Sequence, residues 1–333
     1  TFQAPGLALV VIDEQHRFGV EQRESLRHRY KTAPHLLVMT ATPIPRTAAM
    51  TWFGDLDVSW LTELPGGRKP IRTVVIPEAD GGTMARMLQH IRARIDAGER
   101  AYVVCPRIDA DDDPVANAAT ADTVATAAES GTSDEDGPRP DILTDDEIGE
   151  PRAPLHSVAE IAGRLAALPQ FRGIRFATLT GRDDDETKTR VMASFASGET
   201  PVLVSTTVIE VGVDVRQASC IVIFDADRFG LSQLHQLRGR VGRGGTQSWA
   251  FLISRAEPDS IAAQRLEVIR GTLDGSEIAQ ADLELRGAGD VLGDAQSGGK
   301  SSLKLLRVVK DAKLIEQARA DAEQILADDP QLA

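Results

Sequence analysis

The chain has 333 residues, of which 42% are hydrophobic and 26% are charged, a composition typical of a globular protein of about two domains. Its two cysteines, Cys105 and Cys220, are too few for a disulfide framework or a cysteine-rich metal site, and they fit a reducing cytoplasm. The net charge of −13 argues at first sight against a nucleic-acid-binding protein.

The first predicted strand is the apolar run from Leu7 to Ile12, which is too short to span a bilayer. No secretory leader precedes it, so we expect a cytoplasmic protein without membrane contact. An all-apolar strand is typical of a parallel sheet and needs neighbouring strands, so we expect the chain to begin inside a domain. A second strand, His35 to Met39, follows, and Leu64 to Pro70 resembles an interdomain linker.

From Ile71 onward, apolar strands alternate with helical patterns. The helices are predicted at Met84–Asp96 and Glu186–Ala196, and the strands at Thr73–Ile76, Ala101–Cys105, Phe176–Leu179, Val202–Ser205 and Cys220–Phe224. This alternation predicts an α/β fold with a parallel sheet. From Ile261 the pattern is mostly helical, with a glycine-rich break at 287–299 and a long terminal helix.

Residues 109–155 interrupt the α/β pattern with fourteen acidic residues and only two arginines. Their net charge is −12, so the rest of the chain is close to neutral at −1. A segment this polar cannot bury enough apolar surface to offset its ordering entropy, and we predict a disordered insertion. The alternative is an acidic decoy or interaction segment.

Two groups of polar residues follow the first two predicted strands. Asp13-Glu14-Gln15-His16 comes directly after the first strand, and Thr40-Ala41-Thr42 after the second. Open α/β sheets bind ligands at this edge. In nucleoside-triphosphate hydrolysis the first acid can hold Mg²⁺ and the second can accept a proton from water. Taken alone, the acidic pair could equally be a solvated strand end, and the threonines a turn.

Two further groups lie in the second half of the chain. After the strand ending at Ser205, Gly212 permits close backbone approach and Asp214 could bond a ribose hydroxyl. Arg238, Arg240 and Arg243 then crowd six positions, with glycines between them. Guanidinium groups suit phosphate oxygens and can stabilise the transition state of phosphoryl transfer. The alternative is a generic basic surface.

Together these four groups resemble the motifs of superfamily 2 helicases and translocases. His16–Val20, Thr42–Thr47, Thr207–Asp214 and Leu231–Gln236 resemble the RecG family of bacterial ATP-dependent DNA helicases more closely still, and Ile278–Gly289 resembles its translocation motif. The resemblance covers nearly everything except residues 109–155. It implies part of one RecA-like lobe at 1–65, a complete RecA-like lobe at 66–255 and a helical hairpin with terminal helices at 256–333.

The resemblance also implies roles for single residues. Asp13 would hold Mg²⁺, directly or through water, and Glu14 would position or deprotonate the attacking water. Gln236, Arg240 and Arg243 would act on the phosphates of ATP. Coupling or nucleotide contact would fall to Gln15, His16, Thr40, Thr42, Gly212 and Asp214, and DNA translocation to Gln280 and Arg286.

The implied function is remodelling of branched DNA, such as stalled forks and Holliday junctions, in recombination and repair. The resemblance implies a monomer in the bacterial cytoplasm at the nucleoid, with single-stranded-DNA-binding protein as a candidate partner. A translocase like the transcription-repair coupling factor Mfd is the nearest alternative, but Mfd proteins typically carry two glutamates where this chain has Glu14-Gln15.

A phosphate-cradling loop, Gly-x-x-x-x-Gly-Lys-Ser/Thr, is absent from the sequence. Gly299-Lys300-Ser301 is the only Gly-Lys-Ser, and Asp294 stands where the first glycine is required. We therefore expect the loop and a DNA wedge domain upstream of Thr1, and negligible ATP hydrolysis by these 333 residues alone. An inactive DNA-binding half-site and a non-enzymatic acidic scaffold remain alternatives.

Overall fold

The computed structural model describes residues 7–13, 34–40, 59, 61, 67–109, 154–210, 214–290 and 312–329. Six parallel strands form the main sheet, in the spatial order β3-β8-β7-β4-β6-β5. The strands are β3 (Arg72–Pro77), β4 (Arg100–Val104), β5 (Phe176–Leu179), β6 (Val202–Ser205), β7 (Ala218–Ile223) and β8 (Trp249–Ser254).

Helices cover both faces of this sheet. They are α1 (Gly81–Asp96), α2 (Val158–Ala167), α3 (Asp185–Ser197), α4 (Leu231–Arg238), α5 (Ile261–Gly271) and α6 (Gly275–Asp290). Ile91 of α1 and Ile161 of α2 join the apolar core on one face. Residues of α3 to α6, such as Leu234 and Ile278, join the core on the other. The result is the RecA-like α/β arrangement that the sequence predicts.

The central strands are buried on both faces because nearly all of their residues are apolar, with Ser205 and Ser219 as the polar exceptions. Every residue of β6 and β7 is buried, including Cys220. Burying a strand on both faces leaves only its two ends near solvent, so polar groups of the central sheet can act only there. The carboxyl ends of these parallel strands share one edge, and this edge positions the side chains described below.

A smaller parallel sheet is formed by β1 (Leu9–Ile12) and β2 (His35–Val38). Its ladder continues past the strands, because the Met39 amide donates to the Ile12 carbonyl at 2.8 Å. A seventh helix, α7, spans Ala312–Asp328. Among the described helices, none combines the length and the apolar content needed to cross a membrane.

Several elements differ from the sequence expectations. β8, α2 and α4 were not predicted, and α6 continues to Asp290, into the expected glycine-rich break. The β8 sequence contains a central Phe-Leu-Ile run like the other buried strands, but it lies close behind the arginine–glycine segment. Strand β8 lies between β3 and β7 in the sheet. Its pairing therefore depends on residues about 30 and 180 positions away.

The predicted acidic insertion lies almost wholly outside the described residues. The residues on either side of it are described: Arg107 forms an isolated parallel bridge with Ser157, and Asp109, its first residue, has its Oδ2 2.6 Å from Arg182 Nη1. The chain therefore leaves the sheet after β4 and returns beside the same point, before α2. The domain boundaries at 65 and 255 stay predictions.

Candidate functional site

The candidate site is built around α4 and the turn that follows it, Gly239–Gly245, which we call the arginine turn. Leu231, Leu234 and Leu237 are fully buried against the sheet and hold α4 in place. Gln236 and Arg240 are half-buried. Arg243 Nε donates to the Gly239 carbonyl at 3.1 Å, which folds the turn back on its own start.

The arginine turn lies directly against the segment that carries Asp214. Arg243 Nη1 is 3.6 Å from Asp214 Oδ1, and both side chains are partly exposed. A Cβ atom on Gly244 would come within 2.2 Å of the Arg216 carbonyl oxygen, so only glycine permits this close approach. Two sequence groups some 30 residues apart thus meet at one place.

Tyr102, in the middle of β4, lies close enough to Arg240, Arg243 and Asp214 for their charges to affect its pKa. Burial raises the pKa of Tyr102 to about 12, although the positive charges of Arg240 and Arg243 oppose this rise. The phenol therefore remains neutral at physiological pH. The arrangement offers guanidinium groups for phosphate oxygens and a carboxylate for hydroxyl groups on one partly exposed surface.

Arg238 differs from the other two arginines, because its side chain is 2% exposed. It donates to the carbonyls of Ile269 and Thr272, the latter at 2.7 Å, and its Nη2 lies 3.1 Å from His235 Nδ1. The sequence groups Arg238 with Arg240 and Arg243, but in the structure its guanidinium is occupied by two backbone carbonyls. The hydrogen bonds of Arg238 link α4 to the end of α5.

His235 is the acceptor for this guanidinium. Burial, helped by the charge of Arg238, lowers the pKa of His235 to about 4, and burial lowers that of Arg238 to about 10. His235 is thus neutral at physiological pH and its Nδ1 can accept. The spacing of Leu231, Leu234 and Arg238 (i, i+3, i+7) is the signal that could have placed Arg238 on the buried helix face.

Helix α6 packs against α4 and α5, and its Ile278, Ala281 and Leu285 join the same apolar core. Gln280, on its exposed side, donates to Glu284 Oε1 at 2.9 Å. Arg286 lies in α6, but its side chain is outside the described part of the chain. The arginine turn and the helix that carries Gln280 are therefore connected through α4 and Arg238.

The first acidic group lies at the small sheet. Asp13 directly follows β1 and is exposed, and Thr40 follows β2 and is half-buried. Since β1 and β2 are parallel neighbours, both residues lie at the same sheet edge. Glu14, Gln15, His16, Thr42 and Gly212 lie outside the described residues. Within the described ranges, no cluster of three His, Cys, Asp or Glu side chains could hold a metal ion.

Three side chains, those of Arg243, Asp214 and Asp13, have the chemistry to bind a magnesium nucleotide. The partly exposed Arg243 and Asp214 can separate to meet phosphate and ribose oxygens, because their 3.6 Å contact is longer than a charge-assisted hydrogen bond. Asp13 supplies an exposed carboxylate, the ligand type that Mg²⁺ prefers.

Comparison with known proteins identifies related sequences and structures. Residues 155–245 match the helicase conserved C-terminal domain, and residues 272–333 match the C-terminal part of domain 3 of the ATP-dependent DNA helicase RecG. RecG of Mycobacterium tuberculosis strain H37Rv is 45% identical over 316 residues, which are 94% of this chain and 38% of the relative. RecG of Bacillus subtilis strain 168 is 39% identical over 325 residues, with coverages of 97% and 41%.

A solved structure of RecG bound to a three-way DNA junction also matches. It is 33% identical, with a TM-score of 0.58, and the match covers 93% of this chain and 34% of that chain. The chain thus spans about two fifths of the length of the curated relatives it matches. The chain is therefore similar to the RecG helicases over nearly all of its length, and it matches the conserved helicase C-terminal domain and the C-terminal part of RecG domain 3.

Proposed function

We propose that the natural protein that carries this chain is an ATP-dependent DNA helicase that remodels branched DNA. The observation that carries this proposal is the double attachment of the arginine turn. Arg243 meets Asp214 on a surface suited to a nucleotide, while Arg238 fastens the preceding helix to α5. The RecG relatives are ATP-dependent DNA helicases, and the related solved structure is bound to a three-way DNA junction, which supports DNA as the second substrate.

Each site residue has a proposed task in hydrolysis. Arg240 and Arg243 contact the terminal phosphate and stabilise the charge of the transition state. Asp214 accepts from the ribose, which requires its contact with Arg243 to open. Asp13 holds Mg²⁺, which neutralises phosphate charge when bound, and Glu14 orients or deprotonates the attacking water. Gln236 supports the arginines from α4.

Coupling to DNA follows the physical connections of the lobe. Displacement of the arginine turn moves α4, and Arg238 passes this movement to α5 and α6, where Gln280 and Arg286 lie. Gln15, His16, Thr40, Thr42 and Gly212 complete the nucleotide-linked surface. A lobe that closes with ATP and opens after hydrolysis is a hinge-type switch.

The proposal extends to domains and partners. Residues 1–65 belong to one RecA-like lobe, 66–255 to a second, and 256–333 to the translocation region. The substrates are stalled forks and Holliday junctions in repair and recombination, contacted mainly at phosphates. The protein acts as a monomer in the bacterial cytoplasm at the nucleoid, and single-stranded-DNA-binding protein is a candidate partner.

The test is DNA-stimulated phosphate release, together with unwinding of a fluorescently labelled three-way junction by the natural protein. We expect Arg243→Ala to lower turnover about a thousandfold, the usual range for an arginine finger. The matched control is Arg164→Ala. Arg164 is an exposed residue of α2 that, among the described residues, forms an ion pair with Glu160 of the same helix. Equal turnover in both variants, or a wild-type protein that ignores DNA, would contradict the proposal. These 333 residues alone should show negligible turnover.

A further inference from the structure

Four charged side chains form a closed ring at the carboxyl edge of the main sheet. Glu78 follows β3, Asp225 follows β7, Arg255 follows β8, and His156 lies just before α2. His156 Nε2 is 2.9 Å from Glu78 Oε1, and His156 Nδ1 is 3.0 Å from Asp225 Oδ2. Arg255 closes the ring, with Nε 3.2 Å from Glu78 Oε2 and Nη2 in contact with Asp225 Oδ1. We call these four residues the edge ring.

The geometry of the edge ring requires a doubly protonated imidazole. Ionised carboxylates only accept hydrogen bonds, so both ring nitrogens of His156 must donate. The side chains of His156 and Asp225 are 8% and 1% exposed, so water cannot easily replace a lost donor. With His156 charged, two cations face two anions and the buried ring is neutral as a whole.

The acid–base behaviour of the ring agrees with this geometry. The hydrogen bond to Asp225 raises the pKa of His156 and outweighs the effect of its burial. For Asp225, burial by itself would raise the pKa, but the hydrogen bonds from His156 and Arg255 lower it below the ordinary value. Each partner therefore stabilises the charged form of the other.

The ring holds the connection from β7 to α4. Asp225 has a left-handed backbone, with φ of 49°, and its carboxylate also accepts the backbone N–H of His156 at 2.7 Å. Asp227, two residues on, accepts the backbone N–H of Arg255 at 3.0 Å. Helix α4 begins directly after Gly230, which is three residues beyond Asp227. The helix leads into the arginine turn. Groups from two other segments, at His156 and Arg255, contact Asp225 directly, so its unusual backbone conformation depends on them.

We propose that His156 is a positioning residue: its proton holds the β7–α4 connection, and loss of the proton loosens that connection and slows nucleotide turnover at the arginine turn. The part concerning turnover rests on the proposed function; the part concerning the connection does not. Deprotonation removes one of the two N–H donors and leaves a carboxylate oxygen facing a nitrogen lone pair. The buried ring then carries a net negative charge.

The direction of the pH effect follows from the surroundings. Glu78, Asp225 and Arg255 are the charged groups that act on His156. Asp227 accepts the backbone N–H of Arg255. The charges of Asp225 and of Glu160 in α2 also act on the buried Cys105 thiol. Because the pKa of His156 is raised on folding, its stabilising effect is complete below the unfolded value of about 6.5. The effect is lost as pH rises through the higher folded value.

The first experiment measures the ring itself in the 333-residue chain. Imidazole ¹⁵N shifts give the protonation state of His156 against pH, and hydrogen exchange at residues 225–238, corrected for intrinsic rates, gives the stability of the connection. We expect both to change at one common pH above about 6.5. Glu78→Gln removes a carboxylate charge that favours the protonated imidazole, and its amide N–H can donate to a neutral Nε2, so the midpoint should fall by about one pH unit.

The control and the contradicting results are direct. His156→Gln should exchange rapidly at 225–238 even at low pH, whereas His90→Gln, which changes a histidine of α1 next to Trp249, should behave as wild type. A neutral His156 at low pH, or an unchanged midpoint in Glu78→Gln, would overturn the proposal. The Glu78→Gln result decides the matter even where His156→Gln fails to fold.

The second experiment measures DNA-stimulated phosphate release by the natural protein against pH. At low pH we expect His156→Gln to be about tenfold slower than wild type, with the two converging at high pH. Parallel profiles would overturn the link to turnover. A wild-type protein without DNA-stimulated turnover would instead refute the proposed function, and the ¹⁵N and exchange results would still decide on the ring.

Discussion

At the scale of the residue, the three arginines of one short segment have two different tasks. Arg238 is buried and bonds two backbone carbonyls, whereas Arg243 is partly exposed and faces Asp214. Local sequence does not distinguish them, since both are followed by glycine. Position on the helix does, because Arg238 shares the buried face of α4 with Leu231 and Leu234. A guanidinium suits this place because its Nη1 donates to both carbonyls while its Nη2 reaches His235 Nδ1.

Replacement of Arg238 by methionine should destabilise the protein. The carbonyls of Ile269 and Thr272 would lose their donor in a buried place, at a cost of about 3 kcal/mol in the free energy of unfolding. Urea unfolding of the 333-residue chain measures this cost. Arg270→Met is the matched control, because Arg270 is exposed and, among the described residues, pairs with Glu267 on the same helix. This substitution should change the free energy of unfolding by under about 0.5 kcal/mol. Similar losses in both variants would refute the assigned role of Arg238.

His235 should make the protein sensitive to acid. Its folded pKa of about 4 lies below the unfolded value, so the unfolded chain binds the proton first and stability falls as pH drops from about 6.5 toward 4. His235→Gln keeps an acceptor for Arg238 and does not titrate. The unfolding free energies of wild type and variant, measured over this range, should diverge by about 2 kcal/mol. Parallel curves would show that His235 does not hold this pKa.

At the scale of the element, helix ends explain why several boundaries follow the sequence closely. α3 begins after Asp184, whose carboxylate accepts the Thr187 amide, and it ends at Gly198 with φ of 88°. Asp at the start and Gly at the end are the expected signals for a helix of this kind. α1 and α2 likewise begin with side-chain caps from Asp80 and Ser157. Sequence reasoning missed α4, which has no side-chain cap, and it also missed α2 in spite of the Ser157 cap.

Two glycine substitutions should therefore have opposite effects. Gly198→Ala places a Cβ within 2.2 Å of the Arg100 guanidinium and in a left-handed backbone, so the free energy of unfolding should fall by about 2 kcal/mol. Gly163→Ala, inside α2 with no neighbour within 4 Å of the new Cβ, should raise it by about 0.5 kcal/mol. Chemical denaturation of both variants measures the difference. Two changes of the same sign would contradict this account of the end of α3.

At the scale of the whole molecule, the distribution of charge matters more than its sum. Residues 110–153 carry thirteen acidic residues and two arginines, so most of the net charge of −13 resides there. The residues that flank this stretch, Arg107 and Ser157, are bridged to each other. The chain therefore enters and leaves the acidic stretch at neighbouring points beside the sheet.

Replacement of residues 110–153 by a short Gly-Ser linker should leave the fold intact. Because Arg107 and Ser157 are adjacent, a short loop can join them, and the free energy of unfolding should change by less than about 1 kcal/mol. DNA-stimulated turnover of the natural protein should also persist. If the deletion abolished the biological function while turnover remained, the acidic scaffold hypothesis would gain instead. Thermal unfolding and phosphate release distinguish these outcomes.

The sequence by itself determined the fold class and most strands, and it singled out Asp214 and Arg243 without showing that they are neighbours. Apolar strands and helix caps are local patterns, so short stretches such as Val202–Ser205 and Asp184–Gly198 reveal them. Only the tertiary structure showed that Arg238 is a buried fastener, that Asp214 lies beside Arg243, and that Glu78, His156, Asp225 and Arg255 form one ring. The physical reason is that a charge buried at a sheet edge is stabilised by partners from distant strands, and no local pattern specifies which strands become neighbours.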